Sequence, residues 1–170
     1  MGGNRVLVVG AGVIGLLSAY MLSRAGISVS ILDSQGAGLE ASWAGGGIVS
    51  PLYPWRYSQP VTALAHWSQD FYTRFADDLV PLSGIDPEVH ITGLYWLDLE
   101  DADQALNWAD RQQRALVDVP IKAVEAALPP LGAGFSRALH MPGVANVRNP
   151  RLVRSLREAL LRMPNVMLHE

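Results

Sequence analysis

The chain opens on an apolar run, Arg5-Val-Leu-Val-Val9, that stops at a cluster of glycines. A short continuous apolar run of this kind predicts a parallel strand buried on both faces. From Val13 to Ala25 the pattern becomes helical, and Gly26 stands where a left-handed residue would close the helix. Val29 to Leu32 repeats the buried-strand pattern. Strand, helix and strand within roughly 30 residues have the size of a right-handed βαβ unit.

Gln35 to Pro54 is Gly-rich and carries Pro51 and Pro54, so a loop is expected there. Leu64, Trp67, Phe71, Phe75 and Leu79 then recur at helical spacing and predict a helix from about Val61 to Leu79 with this stripe in the core. Pro81 to Pro87 punctuates the chain, and His90 to Leu99 reads as extended, with Tyr95 and Trp96 on opposite sides. Asp101 is a candidate cap for a helix reaching about Leu116, with Leu106, Ala109 and Leu116 inward. Pro129-Pro130 with Gly132 and Gly134 break the chain again. Asn149-Pro150 predicts a helix start with Asn149 accepting an orphan amide, and Leu152, Val153, Leu156, Leu160 and Met163 form the buried stripe. After Pro164, Val166 to Leu168 reads as a strand returning to the parallel sheet.

Composition narrows the class. Of 170 residues, 49% are hydrophobic and 17% charged, a balance that buries a core and argues against disorder. The net charge of -3 is spread along the chain and gives no footprint for nucleic acid or anionic lipid, so a small partner is expected. There is no cysteine, which excludes disulfides, thiolate metal sites and cysteine nucleophiles and accords with the cytoplasm. The stretch from Val6 to Leu22 is interrupted by Gly10, Gly12 and Gly15 and lacks the cleavage pattern of a signal peptide. No run approaches the roughly 20 apolar residues of a membrane span, and the protein is expected to be soluble.

The chemistry concentrates in Gly10-Ala-Gly-Val-Ile-Gly15, between the first strand and first helix, with Asp33 at the tip of the second strand. Gly10 allows the tight turn, Gly12 the approach of a pyrophosphate, and Gly15 close packing of helix on strand. The helix start presents unpaired amides and a positive dipole end to an anion, and Asp33 can accept hydrogen bonds from ribose hydroxyls. Asp33 would repel a 2′-phosphate, and Ser34 and Gln35 offer no arginine to hold one, so NADP is the least expected dinucleotide.

The segment after Asp33 separates FAD from NAD. Ala41-Ser-Trp-Ala-Gly-Gly-Gly-Ile-Val-Ser-Pro51 resembles the stretch that runs along the flavin in the FAD-dependent amine oxidases, the family of glycine oxidase, D-amino-acid oxidase and sarcosine oxidase. The resemblance continues through His66-Trp-Ser-Gln-Asp-Phe-Tyr72, Leu82-Ser-Gly-Ile-Asp86, Thr92-Gly-Leu-Tyr-Trp96 and Val144-Ala-Asn-Val-Arg-Asn-Pro-Arg151, so it spans nearly the whole chain. Within the family the set is most similar to bacterial glycine oxidases, which are linked to thiazole formation in thiamine synthesis.

The resemblance implies an α/β fold: a Rossmann-like FAD-binding domain with a parallel sheet, and part of an α+β substrate domain with an antiparallel sheet. It implies a first FAD-domain segment at 1–80, substrate domain at 81–145 and a return to the FAD domain at 146–170. Carried over residue by residue, it assigns Gly10, Gly12, Val13, Ile14 and Gly15 to the pyrophosphate turn and Asp33 and Ser34 to the adenosine ribose. Ala41, Ser42, Gly46, Gly47 and Ile48 fall along the rest of the cofactor, where consecutive glycines let backbone meet a flat ring. The implied reaction is oxidation of glycine or a small D-amino acid by FAD and O2 to keto acid, ammonia and hydrogen peroxide. Family members are considerably longer, and their substrate arginine, most of the pocket and the last flavin loop fall beyond Glu170. An isolated 1–170 fragment is therefore expected to be inactive.

No catalytic residue and no metal site is expected within the chain. His66, His90, His140 and His169 are scattered, without metal-site spacing. Asp77 and Asp78 read as a solvated face, and Arg151, Arg154 and Arg157 as a charged outer one. Sarcosine oxidase and D-amino-acid dehydrogenase would share most of this half. An NAD-dependent dehydrogenase or a non-catalytic Rossmann-like module would share the fingerprint, and self-association is left open.

Overall fold

The computed structural model describes residues 5–128, 131–132 and 134–170; the break expected at Pro129-Pro130 lies outside them. In chain order the first elements are β1 (Arg5–Val9), α1 (Val13–Arg24), β2 (Ser28–Leu32), α2 (Ala41–Ala44) and β3 (Ile48–Val49). A short 3-10 turn at Pro54–Arg56 leads into α3 (Gln59–Ser83), β4 (His90–Ile91) and β5 (Leu94–Leu97). Then come α4 (Ala102–Arg111), β6 (Val117–Val119), α5 (Ile121–Ala127), β7 (Ala138–Met141), β8 (Ala145–Asn146), α6 (Asn149–Leu161) and β9 (Val166–His169). Contacts divide the chain into one unit of residues 1–47, 71–89 and 147–170 and a second of 48–70 and 90–146.

The first unit is built on a parallel sheet of order β1-β2-β9, with Val6 opposite Val29 and Ile31 opposite Leu168. The last strand thus returns beside β2, as the pattern predicts. Helices α1 and α6 pack on the face that carries Val29 and Ile31, both buried. Helix α1 buries Leu16, Ala19, Tyr20 and Ser23, which share one side at helical spacing. It ends where expected: Gly26 has φ +80°, and the Ile27 amide donates back to the Leu22 carbonyl at 3.1 Å. In α6, Leu156 and Leu160 are fully buried, each contributing roughly 1.5–3 kcal/mol. Ser155 is buried as well, and its hydroxyl is satisfied by Ser83 at 2.7 Å and the Ile85 carbonyl at 2.8 Å.

The first strand departs from its expected burial on both faces. Leu7 and Val9 are 58% and 79% exposed, and Leu32 and Met167 share their side of the sheet. The apolar run was right for strand formation, but among the described residues no element covers that face.

The second unit holds two antiparallel sheets, β3-β8-β4 and β5-β7-β6. Its core gathers Trp55, Trp96, Trp108, Leu116, Leu139 and Met141, with Trp55 and Trp96 edge to face at 5.2 Å. Trp96 points inward, while its neighbour Tyr95 stacks on His140 at 4.1 Å, the opposite-sided arrangement that strand alternation requires. The extended run breaks at Gly93, whose φ of +75° separates β4 from β5.

Several sequence expectations change. Helix α3 runs on through Pro81 to Ser83, because a proline in the last turn forfeits one bond while the Ser83 hydroxyl donates to the Leu79 carbonyl at 2.9 Å. Only the later part of its stripe is core: Phe75 and Leu79 are buried, Leu64 and Trp67 mostly exposed. The loop expected at 35–54 contains α2 and β3. Asn149 lies inside α6, whose cap position is Arg148, and no side chain caps it.

Asp101 does take the N-cap position of α4, but its side chain makes no cap bond, and the helix stops at Arg111. Its carboxylate instead accepts from Arg56 Nε and Nη2 at 2.7 and 2.8 Å and from Trp55 Nε1 at 2.8 Å. The guanidinium fork, with the indole N–H, lowers its pKa to about 2. A carboxylate depressed on folding stabilises above its unfolded pKa, and that contribution is lost as pH falls towards the folded value. We expect Asp101→Asn to lower the melting temperature at neutral pH and to flatten its decline between about pH 4 and pH 2. Circular-dichroism melts at stepped pH check this; parallel curves for the two proteins would refute it.

Candidate cofactor site at the start of helix α1

Strand β1 turns into α1 through three residues. Gly10 takes φ +98° and its amide donates to the Leu32 carbonyl at 2.8 Å, tying the turn to the tip of β2. Ala11 is fully buried, and Gly12 is extended ahead of the helix, whose first internal bond runs from the Leu16 amide to the Gly12 carbonyl at 2.9 Å. A Cβ on Gly15 would collide with the Gly10 carbonyl oxygen. One on Gly12 would sit 3.2 Å from Ser42 Oγ.

Asp33 is fixed from both sides. Its amide donates to the His169 carbonyl at 2.9 Å, while its carboxylate accepts from the Ala11 amide at 2.6 Å and the Gln35 amide at 2.9 Å. The Ala11 bond first, then the Gln35 bond, holds the carboxyl below the usual aspartate range, so it is charged at neutral pH. An ionised carboxylate has about four acceptor positions, which leaves capacity facing outward.

Gly12 has no side chain with which to cap α1, and Ser42 takes over from α2: its hydroxyl accepts from the Val13 amide at 2.8 Å. The amides of Ile14 and Gly15 belong to the first turn, where no helical acceptor exists. The Ile14 side chain projects into solvent at 74% exposure.

Alongside lies an open groove of about 490 Å³, lined by Gly10, Leu32, Asp33, Ser34 and Glu40, by His169 at the end of β9 and by Glu170 just after it. Glu170 accepts from the Ala37 amide at 3.0 Å and pairs with Arg157 at 2.6 Å, which lowers its pKa. Three carboxylates therefore border the groove. Sequence reading missed Glu40, His169 and Glu170. The available signal was the return of β9 beside β2, which brings its carboxyl end next to Asp33, the end at which open α/β sheets take ligands.

The triple glycine has mixed reasons. A Cβ on Gly45 would meet the Asn149 amide group and one on Gly47 the Val147 carbonyl, whereas one on Gly46 would meet nothing within 4 Å. Packing at the start of α6 thus accounts for Gly45 and Gly47, and of the three Gly46 opens onto free space. Ala41 is exposed on α2. Ile48 begins β3 in the second unit, opposite Asn146.

A turn that offers uncommitted amides beside a charged strand-tip carboxylate can hold a diphosphate and a sugar diol together. Residues 5–167 match the family described as FAD dependent oxidoreductase. The chain belongs to the FAD-dependent oxidoreductase family. It is 62% identical to a glycine oxidase of Pseudomonas aeruginosa and 61% identical to one of Pseudomonas putida, each over 98% of this chain and 46% of the relative. The structure resembles glycine oxidase from Geobacillus kaustophilus with a TM-score of 0.88 at 25% identity, over 98% of this chain and 47% of that one. The chain spans about half the length of the relatives it matches.

For a member of this oxidoreductase family the Gly15 contact is the structural test. A Gly→Ala change inside a helix ordinarily gains about 1 kcal/mol. Here the added methyl meets the Gly10 carbonyl, so Gly15→Ala is expected to destabilise by about 2 kcal/mol. Denaturant titration reads the sign directly, and a stabilised variant would contradict the close approach.

Proposed function

We propose that the enzyme to which this chain contributes is a glycine oxidase-type flavoenzyme that takes glycine or another small amino acid, O2 and water to the keto acid, ammonia and hydrogen peroxide. The family membership and the high identity to two glycine oxidases support this. The observation that carries it for this chain's own residues is the charged Asp33 held beside the uncommitted amides of α1. When bound, FAD supplies the two-electron acceptor for the amine substrate.

The chain's part is to bind and orient. Gly10, Gly12, Val13, Ile14 and Gly15 form the turn for the pyrophosphate: the cradle at Gly12 is one that a Cβ would begin to fill against Ser42. The Val13 amide can exchange Ser42 for a phosphate oxygen at little cost, because one acceptor replaces another. Asp33 and Ser34 take the ribose of the adenosine. Asp33 and Glu40, which have no ion-pair partner among the described residues, oppose an added 2′-phosphate and so favour FAD over phosphorylated dinucleotides. Ala41, Ser42, Gly46, Gly47 and Ile48 follow the remaining cofactor in this reading.

In this reading residues 1–80 and 146–170 belong to the cofactor domain and 81–145 to the substrate domain. Among the described residues no helix is long and apolar enough to cross a membrane; a cytoplasmic location is part of the proposal and rests on the resemblance to bacterial glycine oxidases. Delivery of the glycine-derived imine to thiazole assembly in thiamine synthesis is part of the same proposal and rests on the resemblance to bacterial glycine oxidases.

The test is a peroxide-coupled assay of the enzyme from its whole reading frame with glycine, sarcosine and D-alanine. Glycine is expected to give peroxide, and Asp33→Leu to lower FAD affinity by about tenfold or more, read by flavin fluorescence. Dye reduction without peroxide would point to a D-amino-acid dehydrogenase and reject the oxidase; undiminished FAD affinity in Asp33→Leu would reject the site.

A further inference from the structure

The second unit contains a cavity that none of the residues assigned to the cofactor lines. It measures about 190 Å³ and lies among the amino half of α3, the end of α4 and the turn after β7, somewhat larger than the roughly 150 Å³ that accommodates benzene. Trp108 forms an apolar wall, and Ser50, His66, Gln69, Gln113 and Arg114 supply polar groups. Among the described residues no Asp or Glu lines it. Nor does Arg114 have an ion-pair partner among them.

The local backbone explains how an arginine comes to this wall. Helix α4 ends with Gln113 at φ +52° and with the Arg114 amide donating to the Ala109 carbonyl at 2.8 Å. This is the helix-closing arrangement in which the left-handed position usually belongs to glycine and the next residue is usually apolar. Here a glutamine occupies the left-handed position, which is strained for a residue with a Cβ, and an arginine follows it. Both reach the cavity. Backbone strain coinciding with a polar pocket is the pattern of a functional site. His66 lies 6.0 Å from the Trp108 ring. Desolvation first, then Arg114, lowers its pKa against the opposite pull of Asp70, so at neutral pH the imidazole is neutral and the guanidinium is the lining's full charge.

We propose that this cavity binds a small organic carboxylate, with Arg114 pairing the carboxylate, Gln69 and Gln113 donating to it, and Trp108 covering an apolar body. A guanidinium without an acid partner, set against an aromatic wall, matches a planar anion with two oxygens better than a neutral ligand or a hydrated inorganic ion. The site belongs to the second unit and stands independently of whether the first holds FAD.

Phenylacetate serves as the probe, titrated into the 170-residue chain and followed by saturation-transfer NMR and calorimetry, with phenylacetamide as its neutral counterpart. We expect binding near about 1 mM, weakened about tenfold or more in Arg114→Gln. Arg111→Gln, an exposed change in the last turn of α4, should leave it intact. Thermal melts establish that each variant is folded; should Arg114→Gln fail to fold, the contrast between phenylacetate and phenylacetamide on the unaltered chain decides. Equal binding of phenylacetamide or inorganic phosphate, undiminished binding by folded Arg114→Gln, or no binding at about 20 mM would each overturn the proposal.

Discussion

A missing methyl group sets the geometry of the first unit. With no Cβ on Gly15, the opening turn of α1 lies against the Gly10 carbonyl, so the helix starts within three residues of the strand that feeds it. That closeness brings the Ala11 amide to Asp33, and Asp33 in turn is held by the His169 carbonyl of β9. Three parallel strands and one helix start thereby converge on one carboxylate. A looser turn would separate the amides from the strand tips and leave two half-sites.

The convergence also divides the groove electrostatically. Amides without helical acceptors and the positive end of α1 favour an anion at the turn. Asp33 and Glu40 make the neighbouring space negative, and Glu170, its charge met by Arg157, adds further acceptors. On the proposed reading a diphosphate and a diol each meet the end that suits them. Ser42 belongs to this balance because it keeps the Val13 amide satisfied without adding charge.

Much of this was legible because local rules acted alone. β1, α1 with its Gly26 closure, β2 and the return of β9 follow from periodicity and from glycine at a positive φ. The errors arose where a distant partner outbid the local one. Asp101 and Asn149 both stand where a cap is expected, yet Asp101 is drawn to Arg56 and Trp55, while the chain enters α6 one residue earlier, at Arg148. Pro81 looked like a stop but falls in a turn that has few bonds left to lose. The triple glycine invited a single explanation, whereas its neighbours Asn149 and Val147 come from a segment about 100 residues away that no local pattern reveals.

The parallel strands carry one more instruction. Val6, Val8, Val29 and Ile31 face one side, whereas Leu7, Val9, Leu32 and Met167 share the other with Arg5, Ser28, Ser30 and His169, so the second side is part apolar and part polar. Parallel sheets are as a rule covered on both faces, and here helices cover one. Leu7, Val9, Leu32 and Met167 on that second side stay exposed, because none of the described elements packs over them. Stability measured on these residues alone accordingly reports the helix-covered side of the sheet, with Leu7, Val9, Leu32 and Met167 on the other side wet. It is a lower bound on what the same strands contribute when both faces are dry.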